Sequence, residues 1–269
     1  EEARAMPQDL ALPVARISAV RDRLAAMGTT LVLVPLPAKT DVEADRADLP
    51  GLSAALGERH GAFVAALRDA GVPVVDIRPA LVDLARDGQA FFATDTHWTA
   101  EGAAAAAQVI ADDLRARGLA PPAQPFTRDP AAPEVFSGDL VSFVTSPALA
   151  PMVGLAAERV TPIRAVAPAS TDLSAGDLFG GIDSGGIALV GTSYSANARW
   201  SFADSLMLAL GSDVVNHAEE GRGPVRPVTD MLADPAFAEA PPAVVIWEFP
   251  VRYLSDPALW DEEAPQDGA

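Results

Sequence analysis

The chain has no cysteine in its 269 residues. That excludes disulfides, thiolate metal sites and a cysteine nucleophile. Histidine is scarce at 3 residues, so a histidine-rich metal centre is unsupported and no metal is expected. Positive charge is also short: 19 basic residues stand against 37 acidic ones, for a net charge of -18. Such a surface repels phosphates, which argues against nucleic acid as a partner, and it repels any polyanion that does not meet a local basic patch. No apolar run approaches the roughly 18 residues of a membrane span; the run Leu31 to Leu36 has the length of a buried strand. Glu1-Glu2-Ala3-Arg4 lacks the basic start and apolar stretch of a signal peptide. A leader or anchor preceding Glu1 stays compatible with this.

What is present is a large apolar fraction, 49% of residues, enough for a sizeable core. Helical and extended patterns alternate along the first third. Leu12 to Met27 reads as a helix stopped by Gly28, Thr30 to Pro35 as a buried strand, Leu52 to Ala70 as a helix ended by Gly71, and Val72 to Ile77 as a strand. Thr99 to Arg117 is the clearest helix: Ala103, Ala106, Ala107, Ile110 and Leu114 share a face, Thr99 suits the N-cap and Gly118 the stop. Residues 119–180, rich in proline and alanine, break the rhythm and read as an insertion over the sheet, with loops and a few short strands. Regularity returns with strands at Ile187 to Val190, Asp213 to Asn216 and Val244 to Trp247, and helices at Trp200 to Leu210 and Val225 to Phe237. The tail after Trp260 is acidic and reads as frayed. The alternation predicts an α/β fold, a mostly parallel sheet with helices on both faces, and one domain over residues 1–269.

Two segments carry chemistry. Thr94-Asp95-Thr96-His97-Trp98 sets a carboxylate and an imidazole two residues apart, ahead of a helix. Residues so spaced do not share a helix face, so they belong in a loop where Asp95 folds back to the ring. Gly191-Thr192-Ser193-Tyr194-Ser195 puts a serine in the turn after an apolar strand, where parallel sheets hold their ligands. A serine needs a base, histidine supplies one near neutrality, and a carboxylate on the far ring nitrogen fixes the tautomer. Ser193 as nucleophile, His97 as base and Asp95 as orienting acid make a complete set, with the Ser193 N–H available to an oxyanion. The bland alternatives are a plain turn for Gly-Thr-Ser, and a capping loop or half a metal site for Asp-x-His. His60 reads as a solvated surface histidine. His217, after a short strand, is a structural residue before it is a substrate contact. Trp98 reads as packing behind the loop, with a sugar platform as the minority alternative.

These motifs resemble a known family. Phe91-Phe92-Ala93-Thr94-Asp95-Thr96-His97-Trp98-Thr99-Ala100-Glu101-Gly102 resembles the signature of the AlgJ and AlgX alginate O-acetyltransferases, and Gly191 to Ser195 with Asn197, Arg199 and Trp200 resembles their nucleophile segment. Val34 to Lys39 and Ile246 to Leu254 are similar to two further motifs of that family. The resemblance implies an SGNH-hydrolase-like fold in which aspartate and histidine precede the serine, an inversion of the usual order. It implies catalytic roles for Ser193, His97 and Asp95, a periplasmic location, an exopolysaccharide acceptor, and an acetyl donor supplied through a membrane-embedded acyltransferase, with no cofactor. Tyr194, Arg199, Arg252, Lys39 and Trp98 are substrate-binding candidates from motif position. The carbohydrate-binding module at the C-terminus of AlgX is not expected in this chain. The acidic balance makes a neutral polysaccharide at least as plausible an acceptor as alginate.

Three functions stay in play: a polysaccharide O-acetyltransferase working through an acetyl-serine, a carbohydrate acetylesterase using the same triad with water as acceptor, and a non-catalytic polysaccharide-binding or assembly protein relying on Trp98 and Trp200.

Overall fold

A computed structural model describes residues 10–168 and 186–261. The tail after Asp261 and the end of the expected insertion, residues 169–180, lie outside the described residues. At the centre is a four-stranded parallel sheet: β1 (Thr30–Leu36), β2 (Ile187–Val190), β3 (Val214–Asn216) and β4 (Val244–Pro250). Their spatial order is β1-β4-β2-β3. Thr30 pairs with Val244 and Leu36 with Pro250, while Ile187 lies between Val244 and Val214.

Alternation along the strands assigns their side chains to two cores. Val32, Val34, Leu189, Val244 and Ile246 face one way, against α3 (Arg78–Asp87), α4 (Ala100–Ala116) and α5 (Phe202–Leu210). Leu31, Leu33, Ala188, Val190, Val245, Trp247 and Phe249 face the other way, against α1 (Ala11–Ala26), α2 (Pro50–Asp69) and α6 (Arg226–Ala233). Burial on both sides explains why these strands read as continuous apolar runs. The expected doubly covered sheet is therefore the observed one.

Three expected elements differ. Val72 to Ile77 makes a single parallel bridge, Leu33 to Val74, instead of a strand. Leu33 N–H donates to Pro73 O and Val75 N–H to Leu33 O, each at 2.8–2.9 Å. Extending that ladder in one direction needs a donor at Pro35 and in the other a donor at Pro73, and neither has an N–H. The helix expected over Val225 to Phe237 is two, Arg226–Ala233 and Pro235–Glu239, parted where Asp234 turns extended and caps Ala236 N–H at 2.9 Å. The helix expected from Trp200 starts at Phe202, because Ser201 takes a left-handed φ of 62°.

Within the expected insertion, the described residues form two antiparallel ribbons. Thr127–Pro130 pairs with Ile163–Val166, and Glu134–Phe136 with Glu158–Val160. Ser201 Oγ accepts from Ile163 N–H at 2.8 Å and ties one ribbon to the start of α5. Among the described residues no helix is long and apolar enough to cross a membrane.

Candidate active site

Ser193 lies beyond the C-terminal end of β2, with Gly191 and Thr192 making the turn. Gly191 packs onto β4 so closely that a Cβ there would stand 2.6 Å from Glu248 Oε2. Glu248 is wholly buried and grips the turn. It accepts from Thr192 N–H at 3.1 Å, from Thr192 Oγ1 at 3.1 Å and from Ser195 Oγ at 2.6 Å. Burial pushes its carboxyl above the ordinary value, and these donors offset only part of that.

Asp95 and His97 sit in the loop before α4. Phe91 and Trp98 close the base of this loop in an antiparallel bridge, and Thr99 caps the helix, accepting from Gly102 N–H at 3.0 Å. Asp95 does fold back. Its Oδ1 lies 2.7 Å from His97 Nδ1 and 2.9 Å from the His97 N–H. His97 Nε2 lies 2.8 Å from Ser193 Oγ, closing a serine–histidine–aspartate chain across 96 residues of sequence. Burial pushes the Asp95 carboxyl up, but hydrogen bonds from the His97 ring, the His97 N–H and the Asp139 N–H outweigh it and hold it below its usual value. The carboxylate is thus ionised where histidine works.

Aromatic rings fix the imidazole. Trp200 stacks on it at 4.7 Å with a 16° interplanar angle, and Tyr194 approaches at 4.6 Å. Trp98 is fully enclosed, donating from its indole to Tyr194 O at 3.2 Å. Its placement behind the loop corrects its candidacy as a substrate contact, and Trp200, also buried, offers no sugar platform. The other substrate candidates hold protein groups. Lys39 Nζ donates to Ala93 O at 2.9 Å and Asp95 O at 3.0 Å. Tyr194 Oη donates to Thr96 O at 2.6 Å and accepts from Arg252 Nη1 at 3.0 Å. Burial raises the Tyr194 phenol, which therefore stays neutral. Arg199 pairs with Glu134 at 2.9 Å and lies over the Phe136 ring. All but Arg199 bond to the two catalytic-type segments or to a residue within them.

His60 corrects another expectation. It has no exposed surface, and its Nε2 lies 2.9 Å from Asp76 Oδ1. The stripe Leu56, His60, Phe63, Leu67 is the buried face of α2, so helical spacing places the imidazole inside. His217 packs edge-on to Phe237 at 6.3 Å, in keeping with its structural reading.

Three residues escaped sequence reasoning. Glu248 had a signal, a lone charge in a buried strand. Asp139 and Glu158, which bond to the Asp95 loop, sit in a segment with no period to read. Asp95, His97 and Asp139 offer ligand atoms within 4.8 Å of one another. Asp95 Oδ1 is already committed to His97 and the Asp139 carboxylate to Thr96, so a cation there would have to displace these bonds. A cavity of about 600 Å³ opens beside the loop, lined by Gln89, Phe92, Glu101, Glu158 and Arg159 among others and not by Ser193.

The model of the SGNH hydrolase-like domain of acetyltransferase AlgX matches residues 2–251. The chain is 35% identical over 246 residues to the probable alginate O-acetylase AlgJ of Pseudomonas aeruginosa, covering 89% of this chain and 63% of that protein. Among solved structures, the O-acetyltransferase domain of Pseudomonas putida AlgJ aligns with a TM-score of 0.77 at 33% identity, covering 92% of this chain and 84% of that one. Pseudomonas aeruginosa AlgX aligns with a TM-score of 0.76 at 28% identity, covering 93% and 59%. The chain thus spans under two thirds of the length of these AlgJ and AlgX relatives as whole proteins, 63% and 50% for the two from Pseudomonas aeruginosa.

Proposed function

The chain belongs to the AlgX family of SGNH hydrolase-like domains, and from that premise we propose that it is a polysaccharide O-acetyltransferase working through an acetyl-serine. The observation that carries this is the unbroken hydrogen-bond chain from Ser193 Oγ through His97 to Asp95, at 2.8 and 2.7 Å. His97 Nε2 takes the Ser193 proton as Oγ attacks the acetyl carbonyl, and Asp95 holds the imidazolium that forms. The Ser193 N–H faces the charge that develops on the carbonyl oxygen. As the tetrahedral centre collapses, the bond to the donor oxygen breaks and His97 returns the proton to it. A sugar hydroxyl then gives its proton to His97 and attacks the acetyl-serine. Ser193 leaves with that proton, and the acetyl group stays on the sugar.

The acceptor is an exopolysaccharide, a reading supported by the names of the relatives. We place the reaction in the periplasm, with acetyl delivered by a membrane-embedded acyltransferase and no cofactor beyond the donor. The chain acts as one catalytic domain carrying an insertion.

The test is mass spectrometry after incubation with 4-nitrophenyl acetate, with and without oligosaccharide. The peptide holding Ser193 gains one acetyl group, oligosaccharide removes it, and the sugar gains the same mass. Ser193→Ala abolishes both transfers. Retained transfer in Ser193→Ala removes the triad reading. Acetate release with no acetylated sugar makes the protein an esterase instead.

A further inference from the structure

The Thr94-Asp95-Thr96 segment is bound from outside by the insertion. Glu158 Oε1 accepts from Thr94 N–H at 2.5 Å and from Thr94 Oγ1 at 2.8 Å. Thr94 O accepts from Leu140 N–H at 3.1 Å. Asp139 Oδ1 accepts from Thr96 N–H at 2.8 Å, and Asp139 Oδ2 from the Thr96 hydroxyl. Asp139 N–H donates to Asp95 Oδ2 at 3.0 Å. The approach is as close as backbone permits: a Cβ on Gly138 would stand 2.0 Å from Thr94 O.

Resting on the triad reading above, we propose that Asp139 is a positioning residue, through which the insertion completes the acid–base pair. Asp95 Oδ1 serves the His97 ring, and Oδ2 is anchored by Asp139 N–H. A carboxylate held at both oxygens cannot swing, so Oδ1 stays aimed at Nδ1. The Asp139 side chain, 44 residues away in sequence, fixes that N–H by gripping Thr96. Beside Asp95 are His97 on its own loop, Lys39 from beyond β1, whose Nζ donates to Asp95 O, and Asp139 from the insertion, while Glu158 holds Thr94. The repulsive Asp139 carboxylate is kept on Thr96, while its N–H reaches Asp95 as a favourable dipole.

The experiment is steady-state turnover of 4-nitrophenyl acetate by the full chain across the acid-to-neutral range. Asp139→Ala lowers kcat roughly 10- to 100-fold, the scale that a small misplacement costs, with KM little changed. The loss persists at the top of that range, because the residue-139 N–H remains but is no longer held against Asp95 Oδ2. Asp139→Asn keeps an acceptor for Thr96 N–H and restores much of the loss. An Asp139→Ala enzyme with parental kcat overturns the proposal. If that variant shows no cooperative thermal transition, Thr96→Val, which removes the hydroxyl donor to Asp139, decides: a lowered kcat with KM unchanged supports the proposal and a parental kcat overturns it. Activity remaining in Ser193→Ala counts against the triad and not against Asp139.

Discussion

Glu248 is a carboxylate without solvent, bonded to the turn it supports. Its folded value is raised above its ordinary 4.5, so the native state binds that proton more tightly than the unfolded chain does. The stability it confers is fully present below its ordinary value and is lost as pH rises through the raised one. Glu248→Gln removes this titration, while its amide still accepts from Thr192 N–H and donates to the Ser195 or Thr192 hydroxyl. The variant is therefore expected to lose less stability than the parent between mildly acid and mildly alkaline buffer, as read from urea midpoints. Equal losses refute the assignment. Glu248→Ala strands three donors and costs about 2–4 kcal/mol, since each unsatisfied buried group costs about 1–3 kcal/mol and partial hydration relieves some. At this scale the sequence was legible where partners are neighbours. Asp95 and His97 announce each other because they stand two residues apart. Thr192 and Glu248 are 56 apart, and Asp139 and Asp95 are 44 apart, so nothing local couples them. His60 was misread because its charged neighbours in sequence outweighed the buried stripe to which it belongs.

Helix α4 shows how an element aims a side chain. Thr99 Oγ1 accepts from Gly102 N–H at 3.0 Å and donates to Gln89 O at 2.8 Å, so one hydroxyl caps the helix and pins the strand-like stretch leading to the loop. Gly102 must stay small, since a Cβ would stand 2.2 Å from Ala90 O. Thr99→Ala is expected to lower stability by about 1–2 kcal/mol, the upper range for a lost N-cap, and to lower turnover more than Thr99→Ser does. Chemical denaturation and steady-state kinetics measure the pair; identical values for Ala and Ser remove the cap from the argument. Helices with a period of their own, α1, α2 and α4, and the apolar runs of the four sheet strands were readable to within a few residues. Those that failed depend on backbone chemistry at single positions. Pro35 and Pro73 withhold the donors of a fifth strand, Asp234-Pro235 splits a helix, and Ser201 delays one by its left-handed turn. The insertion was legible as an interruption with a few short strands, but their pairing was not, because the ribbons are short and mostly exposed.

For the molecule as a whole, the decisive quantity is the net charge of -18. A polyanionic acceptor nears this surface against repulsion unless cations at the site reverse it. The basic side chains beside the triad do not stand ready for that. Lys39 holds two carbonyls, Arg252 holds the Tyr194 phenol and Arg199 pairs with Glu134. The Lys39 charge is answered by Glu158, Asp95, Glu43 and Asp139, and that of Arg199 by Glu134. Long-range repulsion between exposed charges is screened within about 30 Å at 0.01 M salt and about 8 Å at 0.15 M. Transfer to uronate oligosaccharides should therefore improve as salt rises over that range, through a falling KM with kcat steady, while transfer to neutral oligosaccharides should hardly respond. Competition between the two acceptors at low salt should favour the neutral one. The opposite trend, a uronate KM that climbs with salt, would mean that a basic path to Ser193 attracts the polymer. That would return a polyanion to first place as the acceptor.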